Sequence, residues 1–190
     1  CILVPIFLTD IVILHALTKN EHAEQLHQME KIAKSVQSML SAATEDSALI
    51  STSLYMDNSL QDFVSRQYAS PQDYFSSYRE YIHNSLLQGV SRITNSVIRV
   101  YADNETLING SEFARLSTVS QVPWYQQYTA DGYSPRLLFS YDETDGRQVL
   151  FLRGMNGLYS DKAERLLCIE INYSTLDRDF QNMGYNDSVY

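Results

Sequence analysis

Positive charge is scarce in this 190-residue chain: 14 Lys and Arg stand against 23 Asp and Glu, a formal net charge of -9 at pH 7. Without a cationic footprint to neutralise phosphates, nucleic-acid binding is excluded as its role. Cysteine is nearly absent, only Cys1 and Cys168 being present. They lie most of the chain apart, so no disulfide framework is expected, and their scarcity leaves the compartment open. Glycine (7) and proline (4) are few, whereas 44% of residues are hydrophobic and 19% charged. That composition excludes a disordered or low-complexity chain and predicts a folded one.

Motifs of catalysis are missing as well. There is no Gly-rich phosphate loop, no Gly-x-Ser-x-Gly elbow and no Cys-x-x-Cys pair. The four histidines, His15, His22, His27 and His83, all fall in predicted helices. His22 and His27 are five apart, about 140° around a helix, and cannot share a metal as an i, i+4 pair can. Cys168 sits in an apolar run and reads as a small buried hydrophobe rather than a nucleophile. The carboxylates of Asp142, Glu143 and Asp145 read as turn formers at a hairpin tip. No enzyme activity, metal or cofactor is expected.

What is present falls into a helical first half and a strand-rich second half. Residues 2–17 are almost wholly apolar and read as the outer end of a transmembrane helix; a signal-peptide core or a buried soluble helix would show a similar run. Asp10 counts against a deep membrane position. From Thr18 polar residues take over without a breaker until Asp57. Leu26, Met29, Ala33, Val36, Leu40 and Ala43 step by three and four, so one long helix is predicted, roughly 65 Å over 11–55 at 1.5 Å per residue. Its stripe could join a second copy or pack on the chain's own sheet.

Two shorter helices follow. Leu60, Phe63, Val64 and Tyr68 share one face. Ser70-Pro71-Gln72-Asp73 then carries a cap, a first-turn proline and an acidic residue, with a stripe of Tyr74, Tyr78, Ile82 and Leu86 and a stop at Gly89. These helices are expected to cover one sheet face.

Residues 97–102, 136–141, 148–154 and 166–173 alternate with the two-residue period of half-buried strands, and 107–109 reads as a short fifth strand. Asp145-Gly146 between two of these runs predicts a hairpin. The excursion over 111–134 is too long for a plain connection and holds the only tryptophan, Trp124, beside Tyr125. Its Pro123-Trp124-Tyr125 turn is expected to lay rings over the sheet edge. Arg99, Arg136 and Arg153 lie in strands, where each could clamp a carboxylate or pair across strands with a residue such as Glu170.

The order of these parts, together with Ser96-Val97-Ile98-Arg99-Val100-Tyr101-Ala102-Asp103-Asn104, Pro123-Trp124-Tyr125 and Leu167-Cys168-Ile169-Glu170-Ile171-Asn172-Tyr173, resembles the extracytoplasmic Cache sensor domain of bacterial receptors, most closely that of YesM-type sensor histidine kinases. The resemblance implies an α+β fold: a long N-terminal helix and helical cover packed on a five-stranded antiparallel PAS-like sheet. It divides the chain into the end of a transmembrane helix (1–18), a stalk helix plus cover (19–93), the sheet domain with its lid loop (94–180, lid 111–134) and the start of a truncated membrane-proximal module (181–190). It further implies a homodimer held at the cell membrane through its N-terminal helix, outside the cytoplasm, with catalysis left to a kinase elsewhere. By position the ligand would meet Trp124 and Tyr125, with Tyr101, Phe139, Tyr141 and Arg153 as walls. Amino-acid-binding relatives carry an arginine where Val122 stands here, so a sugar or other neutral molecule stacked on rings is the expected ligand. A chemoreceptor ectodomain, or a ligand-free dimerising domain that receives a partner protein, are the alternatives. In the ligand-free case the space beneath Trp124 should be filled by side chains.

Overall fold

Five strands with helices on either side form the frame. A computed structural model of the chain describes residues 3–83, 85–94, 96–142, 146–155, 164–172 and 178, with backbone alone for 3–23 and 142. The chain divides into two compact units, Cys1–Ser41 and Ala42–Tyr190. Helix α1 (Leu3–Tyr55) is one uninterrupted element, as the unbroken polar stretch predicts. Among the described residues no helix is long and apolar enough to cross a membrane. The apolar side chains of 2–17, on which the membrane expectation rests, lie outside the described residues.

In the second unit, the three helices that follow α1 each begin on a side chain that accepts from orphan backbone N–H groups. Helix α2 (Asn58–Ser65) is capped by Asp57, whose Oδ1 accepts from Ser59 N at 2.9 Å and Leu60 N at 3.2 Å. Helix α3 (Pro71–His83) starts on Ser70, whose Oγ accepts from Asp73 N at 3.2 Å, while the Asp73 carboxylate reaches back to Ala69 N at 3.1 Å. This is a variant of the capping box, with aspartate in the usual glutamate place and its carboxylate accepting from the N–H one residue before the cap. The predicted stop at Gly89 is wrong. The chain breaks earlier, and Ser85 caps a new helix, α4 (Leu86–Thr94), by accepting from Gln88 N at 3.2 Å; Gly89 lies inside it.

The sheet comprises β1 (Val97–Ala102), β2 (Phe113–Arg115), β3 (Arg136–Asp142), β4 (Gly146–Gly154) and β5 (Arg165–Ile171), in the order β2-β1-β5-β4-β3. The α+β class and the five strands match expectation; the fully antiparallel sheet does not, since β1 and β2 run parallel, Val100 opposite Phe113. The strand predicted at 107–109 is not one. Leu107 is fully buried, and the turn before it is tied to the helical cover: the Asn104 amide donates to Val64 O and Arg66 O. The chain therefore pairs with β1 only after doubling back through 103–112. The β3–β4 hairpin is present, with Asp142 opposite Gly146 at φ 75°; its tip, 143–145, lies outside the described residues. So do the helical turns expected over 174–180, described only at 178, and the module expected at 181–190.

Both sheet faces are covered. On one, Ile98, Val100, Phe151, Leu167 and Ile169 meet Leu54 of α1, Leu60 and Phe63 of α2, Tyr74 of α3 and Leu87 of α4. Phe63 is its centre, with its ring 4.7 Å from Phe113 and 5.0 Å from Tyr81. On the other face Leu138, Leu150, Leu152, Leu166 and Cys168 meet Leu116, Val119 and a helix from the long excursion, α5 (Pro123–Ala130). Burying each such large side chain stabilises the fold by about 1.5–3 kcal/mol.

Candidate functional site

Pro123 stands in the first turn of α5, where its missing N–H costs nothing. The expected turn is thus a two-turn helix, and its rings are driven into the sheet face rather than laid over the edge. Trp124 and Tyr125 are only 7% and 9% exposed. The indole lies 6.0 Å from the Tyr101 ring and 6.1 Å from Tyr125, edge-on to the latter. Tyr125 donates to Glu164 Oε1 at 2.9 Å. Tyr128, fully buried, donates to Tyr133 O and accepts from Gly154 N, both at 2.7 Å, and so pins α5 to the end of β4.

Beside Trp124 this face keeps a hollow of about 130 Å³. Its walls include Trp124, Tyr101, Arg99, Gln148, Cys168 and Glu170. Arg99 donates from Nε to Ser111 O at 3.0 Å and from Nη1 to the Tyr101 hydroxyl at 3.4 Å. Burial works against the Arg99 charge, but the Tyr101 hydroxyl, with Cys168 and Glu170 near by, outweighs it and raises the guanidinium above its ordinary pKa. Burial raises the Tyr101 hydroxyl, and it pushes the Cys168 thiol up to about 12, with Glu170 adding to the shift. Cys168 therefore stays protonated and is no nucleophile at neutral pH. Among the described residues Arg99 and Glu170 make no ion pair within 4.0 Å although they line one hollow. The site thus combines an aromatic wall, a fixed cation, a carboxylate and an amide.

Of the six residues expected to meet a ligand, the structure brings three together. Tyr101, Trp124 and Tyr125 share this face, Tyr101 and Trp124 lining the hollow and Tyr125 packing beside it. Phe139 and Tyr141 do not: they pair with Val149 and Arg147 in the register that turns Leu137 toward the helical cover, and they are 61% and 72% exposed. Arg153 also points to the cover, donating to Thr52 Oγ1 at 2.7 Å and Ser51 Oγ at 3.2 Å, with its guanidinium 4.7 Å from the Tyr55 ring. These three side chains do not line the hollow. Gln148, Glu170 and Cys168 were missed as walls, because only the register reveals that even-numbered positions of β4 and β5 share a face with odd-numbered positions of β1.

A wider groove of about 710 Å³ runs over the helical cover, with Asp57, Asp62, Glu80 and Tyr81 on its walls. No group of three or more metal-ligating side chains occurs among the described residues. Asn104, which spells a glycosylation sequon, is 4% exposed with its amide committed to two carbonyls. It cannot accept a glycan in the folded domain. No family model, curated protein or solved structure matches the chain.

Proposed function

We propose that the chain is the extracytoplasmic ligand-sensing domain of a membrane-bound sensor histidine kinase of the Cache type, and that it takes a small polar molecule in the hollow beside Trp124. The observation that carries this reading is the hollow itself. The rest of that sheet face is closed by apolar packing, whereas here Arg99, Gln148 and Glu170 converge on unfilled space against an aromatic wall. The five-stranded α+β fold with a long N-terminal helix supports it too.

Size bears on the ligand. About 130 Å³ is below the roughly 300 Å³ at which drug-sized pockets begin. A molecule of a few heavy atoms enters without rearrangement; a sugar requires α5 to swing outward from Tyr101. Arg99 also supplies, from β1, the cation that Val122 does not.

The ligand-free reading draws on a specific observation as well, since Trp124 and Tyr125 are largely buried among the chain's own side chains. The single tryptophan separates the two. Titrating the 190-residue chain with panels of amino acids and oligosaccharides while following Trp124 emission should give a saturable change for at least one compound. Arg99→Ala should weaken that response and Phe139→Ala should leave it intact. Silence across both panels would favour the dimerising spacer.

A further inference from the structure

The groove of about 710 Å³ over the helical cover shares no lining residue with the hollow beside Trp124. It is formed by the end of α1, by α2, by the second half of α3 and by the start of α4. Its charge is one-sided. Asp57, Asp62 and Glu80 line it, and among the described residues Arg66 is its only cation. That guanidinium is already engaged, 3.0 Å from the Asp73 carboxylate and 5.6 Å above the Tyr68 ring. Asp57 spends Oδ1 on the α2 cap. Asp62 and Glu80, both exposed, make no ion pair among the described residues. Each opens the last turn of its helix, α2 and α3 respectively, where the carbonyl end of the helix dipole disfavours a carboxylate. Helix stability therefore does not account for them. On the same walls Met56 and Leu86 are 60% and 42% exposed.

We infer that this groove docks a cationic, amphipathic segment of a partner protein, whose Lys or Arg side chains meet Asp62 and Glu80 while its apolar side chains cover Met56 and Leu86. Charge sets the sign of the partner, since unpaired carboxylates repel phosphate-bearing surfaces and attract ammonium or guanidinium groups. The exposed apolar pair sets its amphipathicity: a bare polyamine would neutralise the carboxylates yet leave much of Met56 and Leu86 in water. This chain does not supply the complement itself. A second copy carries the same net charge of -9, and the stretches 156–163 and 173–190 hold only Lys162 and Arg178 against four aspartates.

Fluorescence anisotropy of a labelled hexapeptide, Lys-Leu-Lys-Lys-Leu-Lys, titrated with the 190-residue chain tests this, with amide exchange locating the contact. Binding should saturate, weaken as salt rises and slow exchange over 59–66 and 77–86. Asp62→Asn combined with Glu80→Gln should weaken it by roughly three- to tenfold. Glu45→Gln combined with Asp46→Asn removes two exposed charges outside the groove and should change it by less than about twofold. The serine-for-leucine hexapeptide and spermine, which keep the charge without the apolar side chains, should both bind more weakly than the parent peptide. Equal weakening by the two double variants, spermine binding as tight as the peptide, protection confined to other segments, or no binding at millimolar peptide would each overturn the inference. All four substituted residues are exposed, so loss of the fold does not stand in for loss of the site.

Discussion

Asn104 is where the helical cover is tied to the sheet domain, and replacing it has a calculable effect. Its amide donates to Val64 O at 3.0 Å and Arg66 O at 2.9 Å, the orphan carbonyls at the end of α2, while its Oδ1 accepts from Thr106 N at 3.0 Å and Thr106 Oγ1 at 2.7 Å. All four bonds are lost in Asn104→Ala. With each orphaned buried group costing about 1–1.5 kcal/mol and part of the Thr106 side rescued by water, the expected loss is about 3 kcal/mol. For a domain of this size that lowers Tm by about 6–12 °C, at roughly 2–4 °C per kcal/mol. Asn104→Asp adds a pH signature. A carboxylate there would be buried against two carbonyl oxygens, so its folded pKa would be raised above the ordinary value of about 3.9. Between those two pKa values the folded state would bind the extra proton, so stability falls as pH rises. The Asp variant should therefore lose more, relative to wild type, at pH 7 than at pH 4, while the Ala deficit stays level. Urea unfolding at both pH values measures this. An Ala deficit below about 0.5 kcal/mol, or parallel pH profiles for the two variants, would refute the assignment of Asn104 as the C-terminal cap of α2.

Three other expectations follow from the packing. Tyr128→Phe removes the hydroxyl that bridges Tyr133 O and Gly154 N and should destabilise by about 1–3 kcal/mol, read by chemical unfolding, with amide exchange at Gly154 accelerated. Asp57→Ala removes the α2 cap and should lower stability by about 1 kcal/mol, whereas Asp57→Asn should retain most of it. Cys168, buried and with its thiol pushed up to about 12, should resist alkylation at pH 8 in the native chain and react at once in denaturant; labelling at equal rates in both would contradict the placement of β5.

Much of the fold was legible because strands and helices write their periods locally. The alternation over 97–102, 136–141 and 148–154 and the Asp-Gly between the last two identified three strands and their hairpin, and the Ser70 cap marked α3 to the residue. The short β2 was not legible, since its position depends on the Asn104 and Leu107 contacts that hold 103–112 against the cover, and these span up to 40 residues of sequence. The site was half legible for a single geometric reason. A two-residue period says which residues of one strand share a face, but not which face of the next strand they join. Tyr101 joins the hollow's side of the sheet through an odd position on β1, while β3, β4 and β5 join it through even ones, Leu138 in the apolar packing of that face and Gln148 and Glu170 on the hollow itself, rather than through Phe139, Tyr141 and Arg153. That parity is set by the pairing register alone. It leaves Phe139 and Tyr141 on the opposite face of the edge strand β3, exposed rather than walling the hollow.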